Sequence, residues 1–161
     1  MKSKFKTLQE LKATIEAIRK KGGKVVFTNG CFDLLHAGHT RYLKEAKLIG
    51  DYLVIAINSD KSVRGLKGDK RPIVPEAERV ELLAALEVVD FVTIFDEPDP
   101  YNVINELKPD FLVKGGDWGE GEIIGSDIVI ENGGEVIRLP YLEGSSSTNI
   151  VETIIERYCG G

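Results

Sequence analysis

Residues 24–39 read KVVFTNGCFDLLHAGH, and this stretch decides the fold class. It begins with a short apolar, β-branched run at residues 24–28, which is typical of a strand buried on both faces. A loop containing Gly30 follows, and a helix is predicted from about Gly38 to Leu48. A buried strand that leads through a loop into a helix is the opening of a βα unit.

The rest of the chain repeats this alternation of strands and helices. Further apolar strands are predicted at residues 52–57, 91–95, 111–113 and 136–139, and helices from Pro75 onward and at residues 101–107, 123–130 and 148–158. Strands that are apolar throughout indicate a parallel sheet covered by helices, with right-handed crossovers. The sequence therefore predicts an α/β fold, a Rossmann-like doubly wound sheet of five parallel strands with helices on both faces. Such sheets bind ligands beyond the carboxyl ends of their strands.

One further helix is predicted before the first strand. Thr7 and Glu10 have the spacing of a capping box, apolar residues then recur at helical spacing, and Gly22 and Gly23 end the pattern. The chain has 161 residues and no repeat or linker, which favours one domain over residues 1–161. Residues 1–23 form its N-terminal helical part and residues 24–161 its core.

Composition limits the classes of protein to which the chain can belong. No apolar run approaches the roughly 20 residues that span a bilayer, and the basic start leads into an amphipathic segment rather than a signal core. We therefore expect a cytoplasmic protein with no membrane partner. The net charge of −5 argues against a nucleic-acid partner. Cys31 and Cys159 are too few and too different in context for a disulfide framework or a zinc cluster.

His36 and His39 are the only histidines, and they lie three residues apart at the predicted start of a helix. At this spacing both side chains share one face, beside the free amides and partial positive charge of the helix N-terminus. Two imidazoles there can donate hydrogen bonds to a phosphate and stabilise charge in a transition state. A zinc site, which needs further ligands, and a purely structural pair are the alternatives that spacing alone leaves open. The chain has neither a G-x-G-x-x-G fingerprint nor a Walker A loop.

Two further segments fit an anionic ligand. Cations are concentrated after the second strand, at Lys61, Arg64, Lys67, Lys70 and Arg71. Alone, this segment is more typical of a solvated face than of a ligand site. Ser146, Ser147 and Thr148 open the last predicted helix, where hydroxyls and amides can hold phosphate or simply cap the helix.

Two motifs carry a resemblance to a known family. HAGH at residues 36–39, preceded by GCFD at 30–33, and GSSSTNI at 144–150 resemble the signatures of the HxGH nucleotidyltransferase superfamily. The resemblance covers the chain from Lys24 onward. A finer similarity, at residues 59–68, 71–72, 112–118 and 132–136, is to the D-glycero-β-D-manno-heptose 1-phosphate adenylyltransferase family. Its members occur alone or as the C-terminal half of a bifunctional kinase–adenylyltransferase, and the resemblance implies the stand-alone form here.

The resemblance implies a nucleotidyltransferase reaction. AMP is transferred from ATP, with Mg²⁺, to a sugar 1-phosphate (heptose 1-phosphate), giving ADP-heptose and pyrophosphate for the lipopolysaccharide core. A homo-oligomer is left open. The alternative is a cytidylyltransferase acting on glycerol phosphate or ethanolamine phosphate, which Tyr141 disfavours because relatives of that type carry a cytosine-reading arginine there. A non-catalytic nucleotide-binding module is the remoter alternative.

The resemblance also implies roles for particular residues. The catalytic set is His36, His39 and Lys70. The nucleotide-binding set is Asn29, Gly30, Cys31, Phe32, Gly38, Lys67, Arg71, Gly115, Ser146, Ser147 and Thr148. The substrate-binding set is Asp33, Asp117 and Trp118.

For Asp33 and Cys31 the expectation is more specific, and Arg79, outside these sets, is left open. Asp33 is expected to orient its loop or a histidine rather than act as a base. The amide of Cys31 is expected to matter more than its sulfur. Arg79, on the helix that Pro75 starts, is either a solvent residue or a phosphate contact.

Overall fold

The computed structural model describes residues 3–116, 122–140 and 146–160. The strands are Val25–Gly30 (β1), Tyr52–Asn58 (β2), Phe91–Phe95 (β3), Phe111–Gly115 (β4) and Glu135–Leu139 (β5). The helices are Leu8–Lys20 (α1), Ala37–Lys47 (α2), Asp60–Lys67 (α3), Glu76–Ala84 (α4), Tyr101–Leu107 (α5), Ser126–Glu131 (α6) and Ser147–Cys159 (α7).

The five strands form one parallel sheet in the order β3-β2-β1-β4-β5. From β1 the chain first adds strands on one side, through β2 to β3, and then returns to add β4 and β5 on the other side. The strand order therefore reverses between β1 and β4, and the crevice at their carboxyl ends is where such a fold binds ligands. The predicted fold class is confirmed.

Helices cover both faces of the sheet. On one face, Leu11 and Ile15 of α1 pack with Phe27 of β1 in a core that also includes side chains from α5 and α6. On the other face, Leu43 of α2 and Leu83 of α4 pack in a second core cluster. Successive residues of β1 alternate between the two cores, because neighbouring strand side chains point to opposite faces. This is why the strands are apolar at almost every position.

The first helix begins as the sequence predicts. The amide of Glu10 donates to Thr7 Oγ1 over 3.3 Å, and the amide of Thr7 donates to Glu10 Oε2 over 2.9 Å. This capping box satisfies two backbone donors that the first turn of a helix leaves free. The helix ends at Lys20, and Gly22 follows with φ of 79°, a conformation that glycine adopts without strain.

The structure departs from the predicted elements in two places. Residues 60–67 form α3, whereas the sequence predicted only a cationic segment there. The hydroxyl of Ser59 accepts from the amide of Ser62 and caps this helix. Helix α6 begins at Ser126 rather than Ile123, because Gly125 at φ of 87° breaks the helical path immediately before it. Within the described residues, no helix is both long and apolar enough to cross a membrane.

Candidate functional site

A cavity of about 650 Å³ opens at the carboxyl ends of the central strands. Its walls come from the loop after β1, the first turns of α2, the end of α3, the end of β4 and the start of α7. The volume lies within the range of small-molecule sites. The cavity is therefore where the strand order predicts a ligand.

Most of the predicted site residues line this one cavity. They are Asn29, Gly30, Cys31, Phe32, Asp33, His36, Gly38, His39, Lys67, Arg71, Gly115, Ser146, Ser147 and Thr148. Asp117, Trp118 and Tyr141 lie outside the described residues. The two motifs that are most distant in sequence, at residues 36–39 and 146–148, thus meet at one place.

The two histidines hold the start of α2. The amide of Gly38 donates to His36 Nδ1 over 3.1 Å, and the amide of His36 donates to His39 Nδ1 over 3.2 Å. A neutral imidazole that accepts at Nδ1 carries its hydrogen on Nε2. Helix capping therefore fixes one tautomer in both rings, with Nε2–H left as the donor. Their ring centroids are 3.9 Å apart.

Both rings favour the neutral state. Burial lowers the pKa of His39 to about 4, and the nearby charges of His36 and Lys67 act in the same direction. Burial also lowers the pKa of His36. Near neutral pH the pair therefore consists of two uncharged hydrogen-bond donors rather than two cations.

The loop after β1 has a constrained backbone. Phe32 and Leu34 both have φ of 49°, in the left-handed region that side chains rarely adopt. A Cβ on Gly30 would lie 3.1 Å from the Phe32 ring, so a glycine there lets the ring fold back over the strand end. The Phe32 ring in turn lies beside His39, with centroids 5.3 Å apart. Strain of this kind marks functional loops held by their surroundings.

Asp33 holds the segment at residues 71–74 in place. Its side chain is buried and accepts hydrogen bonds from Arg71 Nε at 2.7 Å and from the amides of Ile73 at 2.9 Å and Val74 at 2.8 Å. Burial acts to raise its pKa, but the two amides and the guanidinium outweigh burial and hold the pKa below its usual value. The carboxylate is held by residues 71–74, and a substrate contact of Asp33 stays a prediction. It orients a loop, as expected, but not a histidine.

Arg71 is held by Asp33 through only part of its guanidinium group. Nε is bonded to Asp33, whereas Nη2 is buried and has no hydrogen-bond partner among the described residues. A buried donor without a partner is costly, and arginine's fork suits phosphate oxygens. The unpartnered Nη2 of this residue, which lines the cavity, therefore points to an anionic ligand there.

Lys70 is not brought to the cavity with Arg71. Its side chain is exposed and does not line the cavity, whereas Lys67, at the end of α3, does. The chain turns through Gly68, with φ of 92°, between the two lysines. Of these cations, Lys67 and Arg71 line the cavity and Lys70 does not, so a catalytic role for Lys70 stays a prediction.

Arg79 is neither a solvent residue nor a phosphate contact. It is fully buried, and its guanidinium donates to the carbonyls of Cys31 at 2.6 Å, Asn58 at 2.8 Å and Val74 at 3.0 Å. It also pairs with Asp60 at 2.8 Å. One side chain therefore ties together the loop after β1, the end of β2, the start of α3 and the segment before α4.

Five residues that line the cavity were not among the predicted site residues: Arg41, Tyr42, Glu45, Lys114 and Pro140. Lys114, at the end of β4, lines the cavity with its Nζ 3.4 Å from Asn29 Oδ1, and burial lowers its pKa while Cys31 acts to raise it. Tyr42 lines the cavity from α2 and donates to the carbonyl of Val113 over 3.1 Å. The signal for Lys114 was present: a charged residue near the end of an otherwise apolar strand at the switch in strand order.

In residues 3–116, 122–140 and 146–160, no three His, Cys, Asp or Glu side chains group together to hold a metal ion. The donors around the cavity are instead imidazole, ammonium, guanidinium, hydroxyl and amide hydrogens, which suit phosphate oxygens.

Known proteins resemble this chain along most of its length. The sequence model described as cytidylyltransferase-like matches residues 27–153. Bifunctional protein HldE of Trichlorobacter lovleyi is 51% identical over 156 residues, which are 97% of this chain and 32% of that protein. Bifunctional protein HldE of Nitratiruptor sp. is 50% identical over 148 residues, 92% of this chain and 31% of that protein. The chain thus spans about a third of the length of these curated relatives.

Solved structures are also similar. The lipopolysaccharide core biosynthesis protein of Thermoplasma volcanium matches with a TM-score of 0.63 and 32% identity, over 77% of this chain and 100% of that chain. Pantoate-β-alanine ligase of Francisella tularensis matches with a TM-score of 0.62 over 98% of this chain and 79% of its own, at 16% identity. The second likeness concerns the fold alone.

Proposed function

Since this chain belongs to the cytidylyltransferase-like family, within the HxGH nucleotidyltransferase superfamily, we propose that it is an adenylyltransferase acting on heptose 1-phosphate. It transfers AMP from ATP to the sugar 1-phosphate and releases pyrophosphate, and the product is ADP-heptose. The identity to HldE proteins and the likeness to a lipopolysaccharide core biosynthesis protein support this choice of acceptor.

The observation that carries the proposal is the convergence of phosphate donors in one cavity. These donors come from four separate segments of the chain. They are the Nε2–H groups of His36 and His39 at the start of α2, Lys67 at the end of α3, the unpartnered Nη2 of Arg71, and the serine turn that starts α7. A triphosphate presents several charged oxygens along its length and can engage such dispersed donors at once.

The proposed reaction is an in-line displacement at the α-phosphorus of ATP. An oxygen of the sugar phosphate forms a bond to the α-phosphorus, the bond to the bridging oxygen of the β-phosphate breaks, and pyrophosphate leaves with that electron pair. The attacking phosphate is already ionised, so no proton has to be removed. Catalysis is then positioning and electrostatic stabilisation, as in other phosphoryl transfers.

Individual residues have distinct tasks in this proposal. His36 and His39 donate to the α-phosphate and the bridging oxygen, where charge grows in the transition state. Lys67 and Arg71 bind the leaving pyrophosphate, with hydroxyls and amides of the α7 start. The backbone of residues 29–32 lies against the nucleotide. A catalytic role for Lys70 stays a prediction, as do substrate contacts of Asp117 and Trp118.

Mg²⁺ enters this proposal as part of the MgATP substrate. The ion keeps several waters and takes its remaining ligands from phosphate oxygens, which is its usual mode with nucleotides. The described residues then supply hydrogen bonds and charge rather than a metal cage. A cytoplasmic location, the absence of a nucleic-acid partner and a homo-oligomer also stay predictions.

The test is pyrophosphate release from a matrix of nucleotides and acceptors. ATP and CTP are each offered with D-glycero-β-D-manno-heptose 1-phosphate, glycerol phosphate and ethanolamine phosphate. We expect pyrophosphate release with ATP and heptose 1-phosphate to be at least about tenfold faster than with every other pair of substrates. A tenfold difference corresponds to about 1.4 kcal/mol of discrimination. Faster release with CTP would show a cytidylyltransferase. If the protein binds ATP but releases no pyrophosphate with any acceptor, it is a non-catalytic nucleotide-binding module.

A further inference from the structure

The cavity receives cations from both sides of its central strand. Lys67 and Arg71 follow β2, which lies beside β1, whereas Lys114 ends β4, which pairs with β1 on the opposite side. Neighbouring strands of a sheet are about 4.8 Å apart. The two groups therefore flank the end of β1 and approach a ligand lying across it from opposite directions.

Lys114 is placed against the end of β1 itself. The paired residues of the two strands run Val26 with Phe111 and Phe27 with Leu112, so continuing the register puts Lys114 beside Asn29. Their side chains confirm this neighbourhood, since Lys114 Nζ is 3.4 Å from Asn29 Oδ1. The ammonium group is thus held at the cavity wall, one strand away from the loop that carries the histidines.

In-line displacement separates the two ends of the reacting system. The attacking oxygen and the leaving oxygen lie on opposite sides of the α-phosphorus. With pyrophosphate on the β2 side, at Lys67 and Arg71, the attacking group has to arrive from the β4 side, where Lys114 lies. We therefore propose that Lys114 binds the phosphate of the acceptor, a phosphate monoester, at a subsite between the ends of β1 and β4.

This subsite addresses a specific electrostatic difficulty of the reaction. The acceptor phosphate carries close to two negative charges and must come within about 3–3.5 Å of an α-phosphate that is itself negative. A partly buried ammonium interacts more strongly with such an anion than an exposed one, because less solvent screens it. Lys114 thereby favours a phosphate monoester over an uncharged hydroxyl acceptor. The inference rests on the proposed nucleotidyl transfer for the identity of the bond that forms.

The experiment measures binding of the nucleotide and of the acceptor separately, on the full chain. Isothermal titration with α,β-methylene-ATP and Mg²⁺ gives the nucleotide affinity. The saturated complex is then titrated with heptose 1-phosphate and, in a parallel arm, with inorganic phosphate. Lys114→Met removes the charge at nearly constant length, and Lys114→Arg retains it. Lys44→Met, on the exposed side of α2 and away from the cavity, is the matched control.

The expected result is a split between the two ligands. Lys114→Met weakens acceptor binding about 10- to 100-fold, the usual effect of losing a hydrogen bond to a charged group, while nucleotide affinity changes less than about twofold. Lys114→Arg recovers at least about half of the lost binding free energy, and Lys44→Met matches the wild type. Thermal unfolding of each variant identifies any loss of affinity that is caused by misfolding. If Lys114→Met does not fold, the affinities of Lys114→Arg for the two ligands are used instead.

Other outcomes overturn the subsite or separate it from the proposed reaction. Loss of nucleotide affinity with acceptor binding intact would place Lys114 on the triphosphate and refute the subsite. The subsite would also be refuted if Lys114→Met weakened nucleotide binding and acceptor binding equally, or if it changed neither affinity. If the wild type binds inorganic phosphate through Lys114 but no heptose 1-phosphate, the subsite stands and the proposed acceptor is wrong.

Discussion

Ser147 donates its hydroxyl hydrogen to the backbone carbonyl of Asp33 over 2.8 Å, joining residues that are 114 positions apart in the chain. The same hydroxyl lies 3.2 Å from the carbonyl of Leu34. The start of α7 is thereby fixed to the strained loop after β1. This contact sets the distance between the histidine motif and the serine turn, which the proposed reaction needs to be constant.

Ser147→Ala should therefore reduce catalysis more than stability. Removing one such hydrogen bond costs about 1 kcal/mol of folding free energy, whereas releasing the start of α7 misplaces donors for the triphosphate, for which we expect about a tenfold loss of kcat/KM. Thr153→Ala is the control, because it removes from the same helix a hydroxyl that donates to the carbonyl of Asn149 within that helix. Steady-state kinetics and urea unfolding of both variants decide the matter. Equal kinetic effects of the two substitutions would contradict a positioning role for Ser147.

His39→Asn should abolish most turnover while leaving the fold intact. The asparagine oxygen can still accept from the amide of His36, so the helix cap survives, but the donor that the ring presents at Nε2 is lost. We expect kcat to fall about 10²- to 10³-fold, as for other donors to transition-state charge. His39→Ala, which also loses the cap, should be equally inactive but less stable by about 1 kcal/mol.

Pyrophosphate release and thermal unfolding measure the two properties independently. Turnover of His39→Asn within a few-fold of the wild type would refute a role for His39 in the reaction. Inactivity accompanied by loss of the folded state would instead assign the ring to structure.

Much of the fold followed from local patterns. Apolar strands alternating with helices identified the parallel sheet, and the Thr7–Glu10 spacing identified a helix start, because each depends on residues close in sequence. The short α3 was missed because eight residues rich in charge and interrupted by Gly65 resemble a loop. The histidine and serine motifs met as expected, since both lie at the carboxyl side of the sheet.

The electrostatic partnerships of the site did not follow from the sequence. Asp33 and Arg71 are 38 positions apart, and nothing local distinguishes their pairing from two independent ligands of a substrate. Arg79 lies among glutamates in a helix that looks solvent-facing, yet it is fully buried, because three carbonyls from other elements converge on it. Such pairings depend on how helices and strands pack together, and the periodicity of apolar residues in the sequence does not predict that packing.

The two lysines beside Arg71 provide a direct test of structure against sequence. Lys67 lines the cavity, whereas Lys70, one of the three predicted catalytic residues, is exposed and does not line it. Lys67→Met should therefore raise the KM for ATP about tenfold or more, since it removes a charged contact with phosphate. Lys70→Met should change the same constant less than about threefold, as expected for an exposed charge in screened solvent. A larger effect of Lys70→Met would restore the sequence-based assignment and imply that residues 68–71 move when nucleotide binds.

Stability should fall as the pH is lowered through the histidine range. The folded pKa of His39 is about 4, below the roughly 6.5 of an unfolded chain, so between these values the unfolded state binds more protons. The stabilising contribution is complete above about pH 6.5 and is lost progressively as pH falls toward 4; His36, whose pKa is also lowered, adds in the same direction. Discounted for partial exposure, the loss between about pH 7.5 and pH 5 is about 1–2 kcal/mol.

Urea unfolding of the wild type and of His39→Asn at these two pH values measures this loss, because the variant has no ring to protonate. The wild type should lose about 1 kcal/mol more than the variant over the interval. The lowered pKa of Asp33 acts only below its ordinary value of 3.8, so it does not contribute in this window. Parallel losses in the two proteins would show that the His39 ring is protonated as easily when folded as when unfolded. The neutral donor proposed at the start of α2 would then be untenable.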